Sequence, residues 1–186
     1  IIKTWIKKYG NNNKYLLSCC VVNPFLKHEQ MNALLSDILD GNNYSNVNFL
    51  PHLKTNSEIN HLLNSADIDL TGLSGAEGWN LPAFNATALG KWSIVYNHSA
   101  HTAWATENNS ILLEPKGQEP ASDGVFFPRE GNFNVGNIHS FDEEQVLAAM
   151  EQAEEKAKNI NEEGLKLQEN FSYEKTLNSI LQKIES

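Results

Sequence analysis

Ser74-Gly75-Ala76-Glu77-Gly78-Trp79-Asn80-Leu81-Pro82-Ala83-Phe84-Asn85 is a polar, glycine-punctuated turn that runs into a helix. It follows Ala66-Asp67-Ile68-Asp69-Leu70-Thr71-Gly72-Leu73, an apolar run that reads as a buried strand. Pro82 suits a first helical turn, where its missing N–H would lack a partner anyway, so a helix is expected to begin near Leu81. Gly90 closes that helix, and Trp92-Ser93-Ile94-Val95-Tyr96 reads as the next strand. Strand, loop, helix start and strand together make a place where free backbone amides can meet an anion. Phosphate binding is the first implication.

Outward from this core the same alternation continues. Ile1 to Tyr9 is amphipathic, and Gly10 to Asn13 reads as a turn. Lys14 to Val22 reads as a strand whose nearly unbroken apolarity implies burial on both faces. Pro24 to Asp40 reads as a helix with Met31, Leu34, Leu35, Ile38 and Leu39 along one side, and Val47 to Leu50 as a short strand. Thr55-Asn56-Ser57-Glu58 has the spacing of a capping box and starts a helix carrying Ile59, Leu62 and Leu63. Short strands separated by helices require crossover connections, hence an α/β fold in which helices cover both faces of a parallel sheet.

Past Ile111-Leu112-Leu113, a further short strand, the pattern breaks. Pro115 to His139 is rich in Gly, Pro and Asn around an apolar knot at Val125-Phe126-Phe127. At about 25 residues it exceeds a routine connector and reads as an irregular excursion. Ser140-Phe141-Asp142-Glu143 resembles a second capping box, leading into a helix with Val146, Leu147, Met150, Ala153 and Ala157. The charges from Glu151 to Lys158 read as a solvated helix face, and Tyr173 to Ile184 as a closing amphipathic helix.

The 186 residues suit a single domain, 40% apolar and 20% charged. No apolar run approaches the ~20 residues that cross a bilayer. A net charge of −9 argues against a nucleic-acid backbone as partner. It also requires that any phosphate be held by local dipoles and a few placed cations. Cys19 and Cys20 are neighbours in an apolar strand and point to opposite faces, so they read as reduced, buried thiols of a cytoplasmic protein.

The run "SADIDLTGLSGAEGWNLPAFNATALGKWSIVYN" resembles the C-terminal half of retaining glycosyltransferases of the GT-B fold, family-4-like (group 1). The family pattern is a strand ending in Ser, then Glu-Gly-aromatic-Gly-Leu-Pro, a second acidic residue, a small-residue helix, Gly and an apolar strand. "VNFLPHLKTNSEINHLLNSADI" is similar to the preceding strand, loop and helix, and "FSYEKTLNSIL" to the closing helix. The resemblance covers about Lys14 to Ile184, and its specific part is Glu77–Pro82.

The resemblance implies a Rossmann-like fold that holds a nucleotide-diphosphate sugar, with the acceptor (a glycan, lipid or protein) held by an N-terminal domain of the same chain. By that resemblance Glu77 holds donor-sugar hydroxyls, and the amides around Gly78, Trp79, Asn80 and Leu81 meet the sugar and diphosphate. The loop at His52, Leu53 and Lys54 lies against the base. Transfer retains the anomeric configuration without a cofactor or metal. Physically the roles agree: fixed amide dipoles stabilise the departing phosphate, and a carboxylate makes charge-assisted bonds to hydroxyls.

The chain departs from the family at three places. Asn85 stands where the second acidic residue binds ribose, losing a charge worth about 1 kcal/mol or more of donor affinity. Asn80 replaces the second Gly, so its side chain either crowds the sugar or joins the site. The first strand of the family's half, with its Arg and Lys, has no counterpart, so the chain is expected to be a fragment that is inactive alone. His98 and His101, after the Trp92–Tyr96 strand, are further candidates for donor contact, with no third ligand apparent for a metal. Two rival classes are a non-catalytic nucleotide- or sugar-binding module and a flavodoxin-like regulatory domain. The second lacks the acidic cluster it would need at the strand ends.

Overall fold

The computed structural model describes residues 1–74, 77–122, 127 and 136–185. Gly75 and Ala76 of the opening turn, and Val125 and Phe126 of the apolar knot, lie outside the described residues. The chain divides into two compact units, Ile1–Leu62 and Leu63–Ser186.

The first unit holds α1 (Ile2–Tyr9), β1 (Leu17–Cys19), α2 (His28–Ile38) and β2 (Val47–Phe49), with α3 (Asn56–Ser65) beginning in it. β1 and β2 are parallel, with Leu17 opposite Val47 and Cys19 opposite Phe49. The strand expected over Lys14–Val22 is thus only three residues long and is not buried on both faces. Leu16, Ser18, Val21 and Val22 are exposed because β1 has one strand neighbour among the described residues. The pair of buried thiols is likewise corrected. Cys20 is exposed and lies beyond β1, whereas Cys19 is buried, which pushes its thiol up to about 11. The helix expected from Pro24 begins only at His28, and none of its residues is buried. The Thr55–Glu58 capping box forms as read: Glu58 N–H donates to Thr55 Oγ1 (3.2 Å) and Thr55 N–H to Glu58 Oε2 (2.9 Å).

The second unit is built on three parallel strands in the order β3 (Ile68–Asp69), β4 (Trp92–Tyr96), β5 (Ile111–Leu113). β3 is two residues long, not the strand through Leu73 that apolarity suggests, because Thr71 and Gly72 already turn. Gly72 makes that turn possible: a Cβ there would sit 2.2 Å from the Val95 side chain and 2.5 Å from the Ile94 carbonyl. Between β3 and β4 runs α4 (Leu81–Ala88). Its small residues bring it close: Ala83 and Ala88 pack with Val95, Trp104, Ala105 and Leu167. Neighbouring strand residues face opposite ways, yet Ser93 to Tyr96 are all fully buried. Both faces of β4 are therefore covered, with α5 (Glu143–Lys156) packed along β4 and β5.

α6 (Glu162–Asn170), which the apolar pattern does not announce, docks on α4. Asn161 anchors it. Its Oδ1 caps Gly164 N–H (2.9 Å), and its Nδ2 donates to the carbonyls of Lys91 (2.9 Å) and Asn109 (2.7 Å). Two further readings are corrected. The excursion from Pro115 to His139 is not irregular at its ends, where β6 (Gly117–Pro120) and β7 (Asn137–Ser140) pair antiparallel. Its backbone there engages a partner strand, which apolar alternation alone does not reveal. The second capping box is displaced: Ser140 is engaged in β7, so Asp142 is the N-cap of α5 and accepts from Glu144 N–H. α7 (Tyr173–Glu185) closes the chain as expected and keeps Tyr173, Leu177, Ile180, Leu181 and Ile184 exposed. No helix among the described residues is long and apolar enough to cross a membrane.

Candidate functional site

The loops that leave the carboxyl ends of β3 and β4 are sewn together by three hydrogen bonds. Ser99 Oγ donates to Glu77 O (2.7 Å), and Trp104 Nε1–H to Trp79 O (3.1 Å). His98 Nε2–H donates to Ser74 O (3.2 Å), since a carbonyl can only accept. Ser99 opens a short 3₁₀ turn, Ser99–Ala103, that Trp104 follows, and Ser99 holds the left-handed conformation at φ +54°. A non-glycine residue pays about 1 kcal/mol or more to sit there. The site is therefore shaped by backbone and side-chain contacts between two loops at the strand ends, where open α/β sheets place their ligands.

Asn80 resolves the question raised by its replacing a glycine. It adopts the left-handed conformation (φ +60°, ψ +68°) that glycine supplies and asparagine tolerates. Its side chain neither crowds nor joins the loop surface, because it is turned inward. Nδ2 donates to Thr71 O (2.8 Å), and Oδ1 caps Ala83 N–H (3.2 Å). Of the first-turn amides of α4, Ala83 N–H is thus taken and Pro82 has none. No hydrogen bond from the N–H of Gly78, Trp79 or Leu81 is found among the described residues. Gly78 and Leu81 are exposed.

Trp79 is part-buried and packs edge-on against Phe84 (5.6 Å between centroids) and Phe171 (5.4 Å), so the ring holds the turn to α4 and the start of the closing segment. Glu77 is part-buried in the loop. Asn85 is exposed on the second turn of α4. His52, Leu53 and Lys54 lie in the other unit, in the segment between β2 and α3, where Lys54 N–H donates to Glu58 Oε2 (2.8 Å).

Three imidazoles adjoin the loop. His98 lies tilted against His139 of β7, with centroids 4.3 Å apart, and meets His101 edge-on at 5.9 Å. His101 is fully buried; its Nδ1–H donates to Tyr96 O (2.9 Å), and its Nε2 has no partner. Burial, then the neighbouring His139 ring, holds His98 below the usual imidazole range. Burial does the same to His101, opposed by its bond to Tyr96 O and by the Glu77 carboxylate. Tyr96 is buried among these rings, which pushes its phenol up to about 12. His139 closes the cluster from far along the chain, and no local signal in the sequence marks it.

Beneath the loop, Asp69 ends β3 almost wholly inside the protein. It accepts from Thr71 N–H (3.1 Å) and Thr71 Oγ1 (2.9 Å), but burial outweighs these bonds and lifts its carboxyl to about 6. Apolar patterning places Asp69 inside a buried strand running on to Leu73, whereas the structure makes it the brace of the turn. No group of three His, Cys, Asp or Glu side chains among the described residues is disposed to hold a metal ion.

No protein-family model matches this chain, and no curated protein matches it.

Proposed function

We propose that the second unit binds the nucleotide-diphosphate sugar of a retaining glycosyltransferase, as the donor half of a GT-B enzyme. The observation that carries this reading is the stapled loop, whose Gly78, Trp79 and Leu81 amides are unclaimed among the described residues, ending in Asn80 and the start of α4. Those amides stabilise charge on the departing diphosphate without having to reorganise, and the helix start adds its dipole. The Glu77 carboxylate accepts hydrogen bonds from sugar hydroxyls, and Asn85 faces the ribose. The acceptor, a glycan, lipid or protein, is bound elsewhere in the full enzyme. Two unpaired cysteines accord with a cytoplasmic setting.

Calorimetry of this chain with UDP-, GDP- and ADP-sugars tests the reading. One of them binds, and Glu77→Ala weakens that sugar nucleotide at least tenfold, about 1.4 kcal/mol, while the matching nucleoside diphosphate binds as before. Absence of binding to every nucleotide sinks the proposal. The exposed amide at Asn85, where a carboxylate is expected, favours a second reading, a non-catalytic binding module. Donor binding by the complete protein without transfer or donor hydrolysis selects that one.

A further inference from the structure

The donor reading leaves a charge unaccounted for. A diphosphate needs cations as well as dipoles in a chain of net charge −9. Among the described residues of the second unit, the lysines are engaged with other partners. Lys91 binds Asn64 O, Lys116 binds Asp142 and Lys156 lies over Trp92. Lys158 and Lys166 pair with Glu155 and Glu163, and Lys175 binds Asn170. Among the described residues, the groups beside the loop that can become positive are the three imidazoles.

We propose that His98, His101 and His139 form a proton-accepting anion site that takes the phosphoryl group of the ligand. The inference rests on the donor reading and adds to it the source of positive charge and a dependence on pH. Each ring keeps at least one nitrogen without a hydrogen-bond partner among the described residues. His98 donates through Nε2 to Ser74 O, which leaves Nδ1. His101 donates through Nδ1 to Tyr96 O, which leaves its buried Nε2 without a partner. His139 makes no side-chain hydrogen bond among the described residues.

The surroundings set the sign. Facing the cluster from the loop after β3 are Glu77, whose charge favours a protonated His101, and the Ser74 carbonyl, which favours a protonated His98. From β4 comes Tyr96, neutral up to about 12. Beside β6 and β7, Lys116 and Asp142 are paired with each other at 2.7 Å. Without ligand, burial holds both His98 and His101 below the usual imidazole range, and at His98 the neighbouring His139 and His101 rings add to it. A diphosphate placed against the cluster reverses that balance, because an opposite charge within ~4–6 Å favours the charged form. Binding therefore draws protons from solvent, one for each imidazole that charges.

The test is calorimetry of the whole chain with inorganic pyrophosphate, UDP and UDP-sugar at pH 6, 7 and 8, in buffers of contrasting ionisation heat. The expected result is net proton uptake and affinity that rises at least threefold per pH unit as pH falls. His139→Gln, a substitution at a part-exposed position, reduces both, and His98→Gln abolishes most of the uptake. Nucleotide binding with no proton uptake overturns this inference and leaves the donor reading standing. Proton-linked binding of pyrophosphate with no preference for any nucleotide upholds the inference and overturns the donor reading. If neither pyrophosphate nor nucleotide binds at any of the three pH values, both fall.

Discussion

The two units use apolar residues differently. In the second, four successive residues of β4 are buried and α4 presents alanines to them, so side chains from strand and helix meet directly. In the first, β1 and β2 form a two-stranded ladder, α2 buries none of its residues, and Leu16, Val21, Val22, Phe25 and Leu34 are exposed. An apolar run therefore has different consequences in the two places. At β4, which helices cover, the run becomes a strand of the expected length; at β1, which has one strand neighbour among the described residues, pairing stops after three residues. The lesson is that apolarity specifies a strand only together with the surface that will bury it.

The contrast breaks most sharply at Gly164. A Cβ there would lie 2.4 Å from Thr87 O and 2.7 Å from Asn161 Nδ2, so α6 could not hold its distance from α4. Gly164→Ala is expected to cost the second unit about 3 kcal/mol, at the upper end of overpacking penalties. Urea denaturation measures it, and a loss below about 1 kcal/mol would show that the α4–α6 contact has slack. In the first unit, Gly41 has nothing within 4 Å of such a Cβ, so Gly41→Ala carries only the strain of its left-handed backbone.

The second unit was legible where a local signal coincided with a buried layer. β4 and β5 follow from continuous apolarity, and the start of α4 follows from Leu81-Pro82. Gly90 and the Thr55–Glu58 box also behave as their chemistry dictates, because turns and caps are decided within a few residues. What could not be read depends on distant partners. Asn161 binds carbonyls of Lys91 and Asn109, and His139 reaches His98, across separations to which periodicity is blind. Pro82 marks the start of α4, but the inward turn of the Asn80 side chain follows from a left-handed conformation that residue identity alone does not announce.

A middle-sized effect comes from titration, which sets Asp69 of the second unit against Glu58 of the first. Asp69 has its carboxyl raised from 3.8 to about 6, so its contribution to stability is present below pH 3.8 and is lost as pH rises through 6. That is at most about 3 kcal/mol, since each tenfold gain in proton affinity on folding corresponds to about 1.4 kcal/mol. Glu58 of the first unit is lowered by Thr55 and neighbouring amides, so its contribution is present above pH 4.5 and is lost as pH falls. His98 and His101, also lowered, cost the second unit stability below about pH 6.5, and this partly masks Asp69. The informative quantity is thus the difference between wild type and Asp69→Asn, followed by amide hydrogen exchange of β4 from pH 4 to pH 7. The wild type should lose protection relative to the variant as pH rises; parallel profiles would mean that Asp69 stays charged throughout.

The smallest effect belongs to α2. Leu34 is 43% exposed on a helix that buries no residue, so Leu34→Ala removes little apolar surface that water does not already reach. The alanine also improves helix propensity slightly, which offsets part of the loss. The expected change is within about 0.5 kcal/mol, the range of an ordinary surface substitution. Val95→Ala, fully buried against α4 in the other unit, should cost several times more, on the order of 2–3 kcal/mol. Denaturation of both variants side by side decides the matter. If Leu34→Ala proves as costly as Val95→Ala, the α2 face is covered by something in solution, and the exposed apolar residues of the first unit form an interface.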